Sequence, residues 1–311
     1  MSDLLRQSLL DASEHAGLRR VATSWPVARK IAMRFVAGET LEDGLAATRR
    51  LATRGRSVTL DYLGEAVTDE AQARGAAKVI VEALDRIGEE GLPAGVSVKP
   101  TQLGLVLSGD LCRELLAEVA AAAFRVDAHV TLDMEDSEVT EATVALVEDL
   151  RRQGHTHVGC AVQAYLRRTR ADVARLTEAG ASLRLTKGAY AEPPQLAYQD
   201  RLSVDRSFDD LAAWLLAHGH YPRLATHDHR LITRARHHAA DARRSRDDFE
   251  FQLLYGIREP LQEQLVRDGY RVRVYVPFGS EWYPYFVRRL AERPANLLFF
   301  LRALVSQPTG A

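Results

Sequence analysis

Between Tyr275 and Arg293 the chain reads YVPFGSEWYPYFVRRLAER, and Tyr285, Arg288, Arg289 and Glu292 recur there at i, i+3, i+4 and i+7. On a helix advancing about 100° per residue, all four share one face. That face carries two guanidiniums, a carboxylate and a phenol, where a core-facing stripe would be apolar. Guanidiniums are planar forks, and two adjacent ones can take both oxygens of a single carboxylate. Taken alone, a solvated face with Glu292 paired to Arg288 is the commoner outcome for such residues. The rest of the chain shifts the balance.

Other chemistry-bearing residues recur where short β-rich runs close. Lys99 closes the second such run, Asp133 the third, Gln163 the fourth, Arg184 and Lys187 the fifth, Thr226 and His227 the sixth, and Tyr275 the eighth. Each has an ordinary explanation by itself. A strand-end lysine is usually solvated, a strand-end Asp most often caps the next helix, and the His of THD is more often structural than a base or ligand. Agreement across six strands calls for an architecture that brings them together.

The elements supply one. From Ser57 onward, β-rich runs alternate with amphipathic ones. SVTLDYL precedes a helix from about Asp69 to Ile87, GVSVKP precedes Asp110 to Phe124, and HVTLDM precedes Glu138 to Gln153. HVGCAVQAY then precedes Arg168 to Ala179, SLRLTKGAY precedes Asp200 to His218, and PRLATHD precedes Arg230 to Arg244. EFQLLYG precedes Glu259 to Asp268, and VRVYVPFG leads into the helix from Trp282. Eight alternating units predict an α/β fold, a (β/α)8 TIM-type barrel, whose active site lies at the C-terminal ends of the strands. An open doubly wound sheet that binds a dinucleotide usually carries GxGxxG after its first strand, and none occurs here. Residues 1–54 show helical periodicity without a convincing strand, with Pro26 after Ser24 as a helix start and Gly38 as a stop. The expected organisation is an N-terminal helical extension over 1–54 and a catalytic barrel over 55–311 that ends in the clamping helix.

The totals narrow the class. A chain of 311 residues with a net charge of −1 argues against a dedicated nucleic-acid binder. Cys112 and Cys160 form neither a close pair nor a metal-spaced motif, so a reducing cytoplasm is the simpler home. No secretory signal opens the sequence, and no run approaches the roughly 18–20 apolar residues of a membrane span. Peripheral contact at the inner face of the membrane is left open. A metallohydrolase would draw on His227 with His229, His155 with His157, and the carboxylates of DMED. The HxH of a first strand is missing, and His155 and His157 enter strand 4 at the wrong end, so no metal is expected. Lys99 or Lys187 could instead form a Schiff base.

With these residues laid out, the chain resembles the proline dehydrogenase family. The matching segments are VSVK at 96–99, LDMED at 132–136, VQAY at 162–165, RLTKGAY at 184–190, ATHD at 225–228, FQLLYG at 251–256, VYVPFG at 274–279 and YFVRRLAER at 285–293. They are spread over about two thirds of the chain, in order. The resemblance implies non-covalent FAD and L-proline as substrate, oxidised at C5 to 1-pyrroline-5-carboxylate with the hydride going to flavin N5. It also implies a quinone as electron acceptor and a separate pyrroline-5-carboxylate dehydrogenase for the product. Carried over, Arg288 and Arg289 clamp the substrate carboxylate with Lys99 as a further cation, while Glu292 and Tyr275 orient these groups. Asp133 holds the substrate-side polar network, and Leu254 and Tyr190 pack near the proline ring. Arg184 lies beside the reactive edge of the flavin, and Met134, Gln163, Lys187, Gly188, Ala189, Thr226 and His227 contact the cofactor. Pro100 departs from the family pattern, which usually has an aliphatic residue after the lysine. A flavin barrel acting on a related cyclic amino acid such as hydroxyproline, and a flavin-free lysine barrel, are the competing readings.

Overall fold

A computed structural model describes residues 29, 31–64 and 67–291. Pro26, most of the N-terminal extension and Glu292 lie outside the described residues. Among the described residues the first helix with both ends defined is α1 (Leu41–Ala52), opened by a capping box in which Thr40 and Asp43 bond each other's backbone N–H groups. Eight units follow: β1 (Ser57–Tyr62) with α2 (Glu70–Glu89), β2 (Ala94–Val98) with α3 (Gly109–Arg125), and β3 (Val130–Leu132) with α4 (Ser137–Arg152). Next come β4 (Val158–Gln163) with α5 (Thr169–Glu178), β5 (Leu183–Thr186) with α6 (Arg201–His218), and β6 (Arg223–Ala225) with α7 (His229–Asp241). The series ends with β7 (Glu250–Leu254) and α8 (Glu259–Arg267), then β8 (Arg271–Phe278) and α9 (Trp282–Ala291).

All eight strands are parallel and close in sequence order. The seam joins β1 to β8 in a register that runs from Ser57 opposite Arg273 to Tyr62 opposite Phe278. Closure leaves no sheet edge to protect. Five barrel helices start on a side-chain cap that accepts a backbone N–H of the first turn: Asp69, Ser108, Asp136, Asp200 and Asp228. Asp136, three residues past Asp133, caps α4, so the Asp that closes β3 is left for another task. One continuous apolar core fills the space between strands and helices.

Two helices sit where the alternation does not place them. α1 packs on the outside of β1 and β8, with Gly44 against the Phe278 ring and Leu60, and Leu45, Ala47 and Leu51 join the main core. α9, which follows β8 in the chain, packs in a separate apolar cluster instead. There Trp282, Tyr283, Tyr285, Phe286 and Val287 meet Phe35, Val36 and Leu63, with Ile257 and Tyr275 against them. Leu63 and Tyr275 belong to the C-terminal ends of β1 and β8, so α9 lies at the mouth of the barrel where the strand-end residues converge.

Candidate active site

The centre of that mouth is Asp133, one residue past β3. Its Oδ1 accepts from Ser97 Oγ at 2.5 Å and Arg184 Nη1 at 2.7 Å, and its Oδ2 from Tyr275 Oη at 2.7 Å and Lys99 Nζ at 3.2 Å. A carboxylate offers about four acceptor positions, so this one is saturated. Burial alone would raise its pKa, yet the charges of Lys99 and Arg184 hold it below the ordinary carboxylate range. The Tyr275 phenol is pushed well above its usual value by burial and by the two nearby carboxylates, which keeps it a donor.

Lys99 is only 6% exposed and reaches a second carboxylate, Asp61 Oδ1, at 2.8 Å. Asp61 sits in β1 with no exposed surface, and its Oδ2 has no hydrogen-bond partner. Burial raises its pKa more than Lys99 lowers it, and Asp133 adds like-charge repulsion. Arg184, in β5, lies with its guanidinium carbon 5.2 Å from the Tyr275 ring centre and donates Nε to Gln252 Oε1 at 2.7 Å. Its Nη2 is buried without a hydrogen-bond partner. Beneath this layer the polar column continues toward the other end of the barrel. Gln252 Nε2 donates to Glu250 Oε1 at 2.5 Å, and that same oxygen accepts from Arg273 Nε at 2.7 Å.

The structure thus joins four sequence-predicted residues, Lys99, Asp133, Arg184 and Tyr275, in one hydrogen-bonded cluster. Arg288 and Arg289 are half-buried on α9, with Arg289 stacked 5.1 Å from the ring of Tyr285, which itself is buried in the apolar cluster. Tyr275 is the junction, since it touches both that cluster and Asp133. The remaining predicted residues form smaller sets. Gln163 donates to the Glu135 carbonyl at 2.7 Å and accepts from the Ala189 N–H at 3.4 Å, beside the buried Met134. His227 Nε2 accepts from the Leu254 N–H at 3.0 Å, which ties the ends of β6 and β7. Thr226 Oγ1 accepts from the Asp228 N–H at 3.1 Å. Lys187 pairs with Asp205 and lies 3.7 Å from Asp228, and Tyr190 is half-buried in the loop after β5.

Gly188 has φ +115°, a backbone conformation that L side chains rarely adopt. A Cβ there would lie 2.1 Å from Tyr165 Cδ1, so the close approach this glycine permits is made by the Tyr165 ring. Among the described residues no group of three or more His, Cys, Asp or Glu side chains could hold a metal, and no helix is long and apolar enough to cross a membrane. Sequence reasoning missed Asp61, Ser97 and Gln252. Their signal was faint: each is a polar residue inside a short β-rich run, SVTLDY, AGVSV or EFQLL.

Comparison with known proteins identifies the family. The model of the proline dehydrogenase family matches residues 45–302. Proline dehydrogenase 1 of Bacillus subtilis is 37% identical over 304 residues, covering 98% of this chain and 100% of that protein. Proline dehydrogenase of Deinococcus radiodurans is 34% identical over 311 residues, covering 98% of this chain and 99% of that protein. The crystal structure of proline utilization A from Bdellovibrio bacteriovorus, inactivated by N-propargylglycine, superposes with a TM-score of 0.81 at 26% identity, over 91% of this chain and 34% of that one. By family model, by full-length relatives and by barrel architecture, the chain belongs to the proline dehydrogenase family.

Proposed function

We propose that this protein oxidises L-proline to 1-pyrroline-5-carboxylate with non-covalently bound FAD and passes the electrons to a quinone. The observation that carries this reading is the buried pair of cations, Lys99 and Arg184, fixed on Asp133 beneath the arginine-bearing helix α9. The residues present suit the cofactor, because Arg184 keeps one buried N–H donor without a protein acceptor, a donor that the electron-rich edge of a flavin would accept. Bound FAD supplies the hydride acceptor that no side chain can provide.

Within this reading, Arg288 and Arg289 bind the substrate carboxylate, Lys99 adds a third positive charge, and Glu292 and Tyr275 orient these groups. Fixing the ring this way presents one C5 hydrogen and removes the entropic cost of finding that pose. Leu254 and Tyr190 pack on the ring and exclude water. Asp133 acts through its neighbours, since all its acceptor positions are filled and it holds Lys99, Arg184 and Tyr275 in place. Met134, Gln163, Lys187, Gly188, Ala189, Thr226 and His227 form the cofactor side. Residues 55–311 carry this machinery, and the segment through residue 54 contributes α1, the outer wall of the β1–β8 seam.

A lysine-based barrel is disfavoured by the surroundings of its two candidates. Lys99 is held between two carboxylates and Lys187 is paired with Asp205, so each amine is engaged in ion pairs and not presented to a carbonyl substrate. A product that leaves as a cyclic imine calls for a pyrroline-5-carboxylate dehydrogenase activity downstream. The test is the visible spectrum of the purified protein before and after anaerobic L-proline. A yellow protein that bleaches is the expected result. A yellow protein bleached by hydroxyproline but not by proline would move the substrate, and a protein that stays colourless after incubation with FAD would overturn the reading.

A further inference from the structure

At the end of the barrel opposite the active site, a depression of about 580 Å³ opens between the N-terminal ends of β3, β5, β6 and β8. Three guanidiniums line it, those of Arg223, Arg271 and Arg273, together with His129. Two carboxylates lie among them. Glu250 is fully buried and Asp247 is exposed, paired with Arg271 at 3.1 Å. The groups are not evenly matched. Glu250 Oε1 already accepts from Arg273 Nε at 2.7 Å and from Gln252 Nε2 at 2.5 Å, and its Oε2 accepts from Tyr221 Oη at 3.3 Å.

Arg223 is left over. It is 3% exposed, its Nη1 donates only to the Thr131 hydroxyl at 2.9 Å, and its Nε has no hydrogen-bond partner and stands 3.8 Å from Glu250. Burial pulls its pKa down to about 9, and Glu250 restores only part of the loss. A buried guanidinium with an unmet donor and a distant, shared counter-charge is costly unless another anion completes it. His129 repeats the pattern, because its Nε2 is also buried without a partner. Burial and the nearby arginines hold that imidazole neutral, so it can donate an N–H without adding charge.

We infer that this depression is a binding site for a small oxyanion, received by Arg223, His129 and the exposed Arg271. Phosphate and simple carboxylates share the required chemistry of compact negative oxygens that accept several N–H donors. The site is independent of the flavin and of proline, and its test uses the complete, cofactor-loaded protein. Inorganic phosphate and, separately, acetate are titrated at constant ionic strength, following the thermal midpoint and the phosphorus line width. Saturable binding of either anion is expected, and whichever binds more tightly identifies the source. Arg271→Gln, a change at an exposed side chain that leaves the barrel interior intact, weakens binding about fivefold, the loss of one solvent-screened charged contact. Arg223→Lys, which keeps the charge but lacks the fork, weakens it further. No saturable binding by the unmodified protein would overturn the inference. So would Arg271→Gln protein that binds as tightly as the parent, whether or not the Arg223 variant folds.

Discussion

Replacing Glu250 by Gln tests the column that runs through the barrel. The carboxylate is 1% exposed, and although burial pushes its pKa up, Arg273 and Arg223 pull it down from 4.5 to about 2. That lowering corresponds to roughly 3 kcal/mol of stability for the ionised form. A lowered carboxylate pKa contributes fully above the unfolded value of 4.5 and loses its contribution as pH falls toward 2. Gln keeps the shape but removes the charge, leaving Arg273 and Arg223 buried without an anion. Breaking one side of a buried pair costs about 3–5 kcal/mol, consistent with the linkage figure. For 311 residues the unfolding entropy is large, so each kcal/mol moves the midpoint by about 1.5 °C. The expected loss at pH 7 is therefore roughly 5–8 °C. The assay is the thermal midpoint of both proteins from pH 7 to about 3 in one buffer system. The gap between them should narrow once the pH drops below 4.5. A constant gap down to the lowest pH, or no gap at pH 7, would refute the view that Glu250 is the counter-ion of the column.

Two further substitutions probe the cofactor and substrate sides. Gly188→Ala must adopt a positive φ and place its Cβ 2.1 Å from Tyr165 Cδ1, so about 2–5 kcal/mol of strain and overlap is expected. The outcome is a midpoint lowered by several degrees and a reduced ratio of visible to ultraviolet absorbance, and unchanged values of both would contradict the packing. Arg288→Met removes one charge-assisted contact worth about 1.5–3 kcal/mol. It should raise the apparent KM for proline at least tenfold with flavin content unchanged. Flavin loss without a change in KM would place Arg288 on the wrong ligand.

The barrel itself was legible because strand and helix periodicity alternate without interruption from Ser57 onward. Predicted strands ran long at their C-terminal ends: HVGCAVQAY ends its ladder at Gln163, and SLRLTKGAY at Thr186. Those overhanging residues leave the ladder to form the loops of the mouth, so the extended backbone there serves the site and not the sheet. The swap of α1 and α9 was not legible. An amphipathic stripe states that a helix buries one face, but not which surface covers it.

The same distinction explains which site residues could be found. Lys99, Asp133 and Arg184 are charges at or near strand ends, and a barrel converges such positions whatever their separation in sequence. Asp61 and Gln252 lie within strands, and parallel strands covered on both faces lose the alternation that would tell inward from outward. In β1 the burial runs unbroken from Val58 to Asp61, so the one carboxylate there reads like a misplaced surface residue. Its role is set by position alone. Directed inward, it pairs with Lys99 and keeps one oxygen unmatched, while across the cluster Arg184 keeps one N–H unmatched. In the proposed reading, the unmet acceptor of Asp61 and the unmet donor of Arg184, flanking a saturated Asp133, are the positions a bound ligand would complete.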